Sequence, residues 1–299
     1  MPRESPHRPR PQQVFRALRL HQWLKNLLVF CPLVAAHRAT DQRLLAAAFI
    51  AFLAFGLCAS SGYVVNDLLD LRSDRRHPLK RTRPFAAGTL PLSWGRVLVP
   101  VALLAALGLS LLLPPGFWAL LAGYFVVSLA YSWRLKGVLL VDILVLAGLY
   151  TLRLHAGAVA VQVELSFWLT ALSMFLFLSL AMVKRYCELL ELRAMGAEEA
   201  QGRSYRPLDL DALMSLGTAS GYLSVLVLAL YINSESVREL YAHPEVIWTL
   251  CPLLLYWISR IWLLARRGEL HQDPLVFACR DPASWVVAAL GTLAYLLAT

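Results

Sequence analysis

The 299-residue chain is 59% hydrophobic, with a mean hydropathy of +0.59. Soluble domains hold roughly 45–50% apolar residues, so an ordinary water-soluble fold is excluded. The formal charge is +9, from 28 Lys+Arg against 19 Asp+Glu. These cations are spread over several loops between apolar runs, so no nucleic-acid partner is expected. The five cysteines (Cys31, Cys58, Cys187, Cys251, Cys279) have no paired spacing, which argues against a disulfide framework or a zinc site.

In chain order, Met1–Gln13 is Pro/Arg-rich and has no apolar core with a small-residue cleavage site. It reads as a basic disordered tail preceding one integral membrane domain over 14–299. Apolar runs then recur at about 24–36, 45–66, 96–113, 116–132, 138–160, 165–183, 212–232, 246–265 and 283–298. Their lengths suit spanning helices, which need about 20 residues each. The expectation is an all-α polytopic membrane protein of about nine transmembrane helices. Arg3, Arg8, Arg10, Arg16, Arg19 and Lys25 precede or begin the first run. Basic residues also crowd 72–83, Arg134–Lys136, 184–206 and 266–280, whereas the alternate loops hold only Arg38, Arg43 and Arg238. Basic loops stay cytoplasmic, which places the N-terminus and the charged loops inside. Topology alone would account for many of these cations, but not for the acids beside them.

The richest stretch is Asn66–Pro84, NDLLDLRSDRRHPLKRTRP. Asn66, Asp70 and Asp74 recur every four residues, and Asp67 flanks them. On a continuing helix they would form one oxygen-rich stripe. Hard carboxylates suit Mg²⁺, which is usually held by one or two of them plus substrate phosphates. His77-Pro78 should break the helix. Lys80, Arg81 and Arg83 follow on a loop, where cations suit phosphate. Tyr63, Ser60, Ser61 and Gly62 would let helices pack closely below. The alternative is a solvated helix end in which the acids pair with Arg72, Arg75 and Arg76.

Asp142, Arg153 and His155 fall in the fifth run and Arg260 in the eighth. Ionisable groups at membrane depth are costly, so they are candidates for function or for structural ion pairs. The sixth run ends in Lys184-Arg185-Tyr186-Cys187-Glu188, with Lys184, Arg185 and Glu188 expected to face the first motif across the bundle. Asp273 and Asp281 read as further acids, as caps of the last helix, or as balance for Arg266 and Arg280.

These motifs resemble the UbiA superfamily of membrane prenyltransferases. The pattern NDxxDxxxD at Asn66–Asp74, continued by HPxKRxRP at His77–Pro84, carries the likeness. The detail resembles one branch, the decaprenyl-phosphate phosphoribosyltransferases. That likeness rests on His77-Pro78-x-Lys80-Arg81-x-Arg83-Pro84, on Tyr131-Ser132, Leu135-Lys136, Asp142 and Arg153, on Lys184-Arg185-Tyr186-x-Glu188 and on Ala265–Asp281. Most superfamily members carry a second Asp-rich DxxxD motif where Glu188 stands, which leaves a second Mg²⁺ in question.

The resemblance implies helices around a central cavity with a charged cytoplasmic cap, in the inner (cell) membrane. It implies Mg²⁺ on Asn66, Asp67, Asp70 and Asp74, with Asp70, Asp74, Lys184 and Glu188 catalytic. Arg75, Lys80, Arg83, Tyr131, Lys136, Arg153, Arg185 and Arg260 are the phosphate-binding candidates. The implied partners are phosphoribosyl pyrophosphate and a polyprenyl phosphate in the bilayer, with self-association left open. The implied reaction releases diphosphate and feeds cell-wall polymers. An aromatic prenyltransferase and a non-catalytic transporter using Asp142, Arg153 and Arg260 are the rival readings.

Overall fold

The structure is a computed structural model describing residues 11–76, 80–196, 204–234, 237, 241–270 and 273–299. The described residues are helical, with no strand among them. Helix α1 (Pro11–Leu18) leads into a 3-10 segment (Leu20–Phe30) and α2 (Cys31–Ala35). Then come α3 (Gln42–Leu69), α4 (Leu71–Arg76), α5 (Leu92–Ser110), α6 (Pro115–Trp133) and α7 (Val141–Ala160). After them follow α8 (Phe167–Ala194), α9 (Leu210–Ile232), α10 (Pro244–Ile247), α11 (Leu250–Arg266), α12 (Pro274–Ala278) and α13 (Pro282–Ala298).

Seven helices among the described residues are long and apolar enough to cross a membrane, and Pro282–Ala298 is a shorter apolar one. The expected count of nine is therefore not reached by length and composition. The first expected span is a 3-10 segment of 11 residues followed by five α-helical ones. At roughly 2.0 Å per residue, the 3-10 part alone extends about 22 Å. The expected tail also ends earlier than Gln13, because α1 begins at Pro11. The remainder of that tail lies outside the described residues, as do His77 and Pro78.

Two compact units make up the chain. The first holds residues 1–134 and 156–163, the second residues 135–155 and 164–299. The division falls inside α7. In the first unit, α3 presents small residues to its neighbours: Ala48, Ala51, Ala54, Ser60 and Ser61 have no exposed surface. Without a hydrophobic driving force in lipid, such close approach supplies the packing energy. Gly157 shows how close: a Cβ there would sit 2.2 Å from the Val29 carbonyl oxygen. A cap starts α3, as the Asp41 carboxylate accepts from the Arg43 and Leu44 amides at 2.9 and 3.3 Å.

In the second unit α8 and α9 meet through serine and glycine. Ser179 Oγ donates to the Gly217 carbonyl at 2.7 Å and accepts from Trp262 Nε1 at 3.0 Å. Ser220 Oγ donates to the Phe175 carbonyl at 2.8 Å. A Cβ at Gly217 would lie 2.1 Å from the Trp262 ring, so only glycine fits there.

Candidate active site

The first cluster is built at the end of α3. Asp70 caps that helix with φ −87° and ψ 5°, and α4 carries the chain on to Asp74. Asp67 and Asp74 are each only 2% exposed. One guanidinium joins them: Arg83 Nη1 donates to Asp67 Oδ1 at 3.1 Å and to Asp74 Oδ2 at 2.7 Å. The expected stripe of 66, 70 and 74 needs one continuing helix, and the chain leaves helical geometry at Asp70; Arg83 instead pairs 67 with 74.

Arg83 is held by its neighbours in sequence. Its amide donates to the Lys80 carbonyl at 3.0 Å. Beyond it, Phe85 and Leu90 pack with Ala17 and Val64 in one buried cluster. Gly88, at φ 72°, makes the turn that brings Leu90 back. A second guanidinium, from Arg19, also donates to Asp67 Oδ1. Its carbon lies 5.2 Å from the Tyr63 ring centre. The expected partners Arg72, Arg75 and Arg76 are exposed on α4. Asp70, Asn66, Lys80 and Tyr131 are half-buried within this unit.

The second cluster lies at the start of α7 and the end of α8. Asp142 and Arg185 have no exposed side-chain surface and pair at 2.7 Å. Arg185 also donates to Glu188, whose carboxylate is 37% exposed. Tyr205 Oη donates to Asp142 Oδ1 at 2.7 Å and accepts from the Leu140 amide at 2.9 Å. The Arg185 guanidinium carbon lies 5.6 Å from the Tyr205 ring centre. Burial, together with the Asp142 carboxylate, pushes the Tyr205 phenol well above its ordinary range, so it stays a proton donor. Leu140, at φ 63°, takes a conformation rare for a branched residue, and the Tyr205 hydroxyl holds its amide there.

Beside this cluster, Lys184 Nζ lies 3.6 Å from Asp273 Oδ2, and the Tyr150 hydroxyl approaches the same oxygen at 3.4 Å. Lys136 opens half-buried from the 3-10 turn Leu135–Gly137. Arg153 is 3% exposed, donates to the Leu149 carbonyl at 2.5 Å and lies over the Tyr150 ring. Arg260 forks onto Asp281 at 2.7 and 2.9 Å, and Asp281 caps α13 through the Ser284 amide. Asp281 thus balances Arg260, where the sequence offered Arg266 or Arg280. Arg19, Tyr205, Tyr150 and the Lys184–Asp273 contact were not read as site features. Arg19 carried a signal only as a cation ahead of the first apolar run.

A polytopic helical chain with ion pairs grouped at helix ends defines a membrane-embedded protein with two charged clusters. The model of the UbiA prenyltransferase family matches residues 27–278, and the chain belongs to that family. It is similar to "Nodulation protein NoeC" of Azorhizobium caulinodans, 38% identical over 90% of this chain and 88% of that protein. It is also similar to "Uncharacterized protein y4nM" of Sinorhizobium fredii, 39% identical over 94% of this chain. The match spans 55% of that protein's length, so this chain covers about half of it. "Decaprenyl-phosphate phosphoribosyltransferase" of Corynebacterium glutamicum is 34% identical over 75% of this chain and 69% of its own length. The fold is that of a UbiA homolog from Archaeoglobus fulgidus solved bound to GPP and Mg²⁺. The TM-score is 0.70, with 15% identity over 94% of this chain and 99% of that one. The protein is an integral membrane enzyme of this family.

Proposed function

We propose that the protein transfers a 5-phosphoribosyl group from phosphoribosyl pyrophosphate to a polyprenyl phosphate at the cytoplasmic face of the cell membrane. The bond from ribose C1 to the diphosphate oxygen breaks, the lipid phosphate oxygen bonds to C1, and diphosphate leaves. The observation that carries this reading is the Asp67–Arg83–Asp74 cluster with Arg19 beside it, a group of hard oxygens and cations that suits a diphosphate. The name of the Corynebacterium relative supports the phosphoribosyl donor.

Among the described residues, no three His, Cys, Asp or Glu side chains converge as a metal cage. The donor chemistry still fits Mg²⁺, which needs only one or two carboxylates when phosphates complete its shell. Asp67 and Asp74 already bracket one cationic nitrogen, Arg83 Nη1. These two would hold the ion, with Asp70 and Asn66 as further ligands. When bound, it would neutralise charge on the departing diphosphate.

The chain's own groups do the rest. Lys80, Arg83 and Arg75 would neutralise phosphate oxygens. Asp70 and Asp74 are the carboxylates whose loss should stop turnover. Arg185 is sealed between Asp142 and Glu188, so we assign it to holding α7 and α8, with Glu188 orienting its outer edge. Arg153 and Arg260 are likewise committed to partners, and positioning suits them better than phosphate contact. The acceptor is already an anion, so no strong general base is required. An apolar cavity of about 210 Å³ beside α7 and α8, lined by Leu144, Ala147, Leu152 and Met174 among others, supports an isoprenoid chain.

Purified protein with Mg²⁺ should transfer radiolabelled phosphoribose to polyprenyl phosphate. No transfer there, with prenylation of a hydroxybenzoate by geranyl diphosphate instead, would establish the aromatic prenyltransferase reading.

A further inference from the structure

Arg19 sits where the chain turns from α1 into the 3-10 segment, and it takes left-handed φ and ψ of 51° and 49°. That conformation is uncommon outside glycine and is held by packing on both sides. Before it, Ala17 is fully buried against Val64, Phe85 and Leu90. The Leu18 carbonyl accepts from Ser60 Oγ at 2.6 Å. After it, Trp23 Nε1 donates to the same Ser60 Oγ at 2.9 Å. Ser60 lies on α3, two turns before Asp67. The residue is thus delivered to Asp67 by anchors on α3 itself.

Its guanidinium shares Asp67 Oδ1 with Arg83, while Arg83 also reaches Asp74. The Asp67 carboxylate is sealed, but Arg19 is 20% exposed and Arg83 25% exposed. The two cations are therefore the accessible part of the cluster. A divalent cation taking Asp67 Oδ1 must displace a guanidinium from it. A displaced arginine is then a two-pronged donor beside the anion that arrives with the metal. Arg83 keeps Asp74 as a second partner, whereas among the described residues the cluster offers Arg19 only Asp67 and the Tyr63 ring, so Arg19 is the one to move.

We infer that Arg19 is an exchangeable site residue: it covers Asp67 in the metal-free protein and passes to the diphosphate when a metal–diphosphate complex binds. The inference deepens the proposed function and rests on that metal–diphosphate reading. It makes two effects of opposite sign. Arg19 competes with bare metal and assists the metal–diphosphate complex.

The test uses the full chain in detergent, with Mn²⁺ as the probe, read by the paramagnetic resonance of free ion. Binding of the manganese–pyrophosphate complex is measured in parallel. Arg19→Gln should bind Mn²⁺ alone about tenfold more tightly, because a charge-assisted hydrogen bond no longer competes. The same variant should bind manganese–pyrophosphate about tenfold more weakly. Arg19→Lys, which keeps the charge but loses the two-pronged donor, should shift both values in the same opposite senses by a smaller factor, and it carries the test if the glutamine variant does not fold. Changes in the same direction for both ligands, or in neither, overturn the inference and leave the proposed function standing. A wild-type protein that binds neither Mn²⁺ nor its pyrophosphate complex overturns both.

Discussion

The two charged clusters use the same residue types and differ in access to water. In the first unit, buried carboxylates meet guanidiniums that are 20% and 25% exposed. In the second, Asp142 and Arg185 have no exposure on either partner. Desolvating an ion pair costs several kcal/mol per ion, so a sealed pair is strongly committed to its geometry. A half-exposed pair can trade a partner for water or ligand at modest cost. The first cluster is therefore suited to exchange with substrate and the second to holding α7, α8 and the approach to α9 in place.

The sharpest break in that contrast comes from the sealed pair. Arg185→Ala should lose about 3–5 kcal/mol of stability, because it strands a buried Asp142 carboxylate. Asp142→Leu combined with Arg185→Met should recover most of that loss, since apolar replacements of a buried pair are often neutral. Detergent-based unfolding curves decide it; a double variant as unstable as the single one would count against a scaffold role.

Asp74→Asn should do the opposite, lowering turnover by about 100- to 1000-fold while losing far less stability than Arg185→Ala, since Arg83 keeps Asp67 and water. Transfer assays with matched unfolding curves check this. An active Asp74→Asn would move the chemistry away from the first cluster.

Tyr205→Phe should cost about 1–2 kcal/mol, since it removes a donor from a buried carboxylate and an acceptor from the Leu140 amide. Thermal unfolding measures it, and no change would show that the second cluster tolerates loosening.

The smallest effect is expected at Asp281. Burial alone would raise its pKa, but hydrogen bonds from Arg260 and Ser284 outweigh that and hold it below the ordinary 3.8. A depressed folded-state pKa contributes stability above the ordinary value, and that contribution is lost as pH falls through the depressed one. Asp281→Asn should therefore be less stable than wild type by about 1 kcal/mol at pH 7. The gap should close in acid below 3.8, as followed by unfolding at a series of pH values.

Much of the molecule was legible beforehand because membranes leave few choices. Apolar runs of spanning length become helices, since lipid offers backbone groups no other partners. The runs at 45–66 and 165–183 were seen at their true places, although α3 and α8 continue to Leu69 and Ala194. The charged continuations are invisible to hydropathy because they leave the apolar stretch. The opening run differs in helix type: most of it is a 3-10 segment, which covers more distance per residue than an α-helix.

Sequence by itself determined the helical membrane class and the charged stretch that carries the family pattern, because composition and spacing are local properties. Only tertiary structure decided which opposite charges meet. Asp67 and Asp74 take Arg83 from a loop, and Asp67 also takes Arg19 from before the first apolar run, while Arg72, Arg75 and Arg76 stay exposed. Arg185 is consumed by Asp142 from another helix, and Arg260 by Asp281 at the start of α13. Charges attract over several ångströms in any direction, so proximity along the chain does not choose their partners; the packing of small residues on α3 and of serine and glycine between α8 and α9 does.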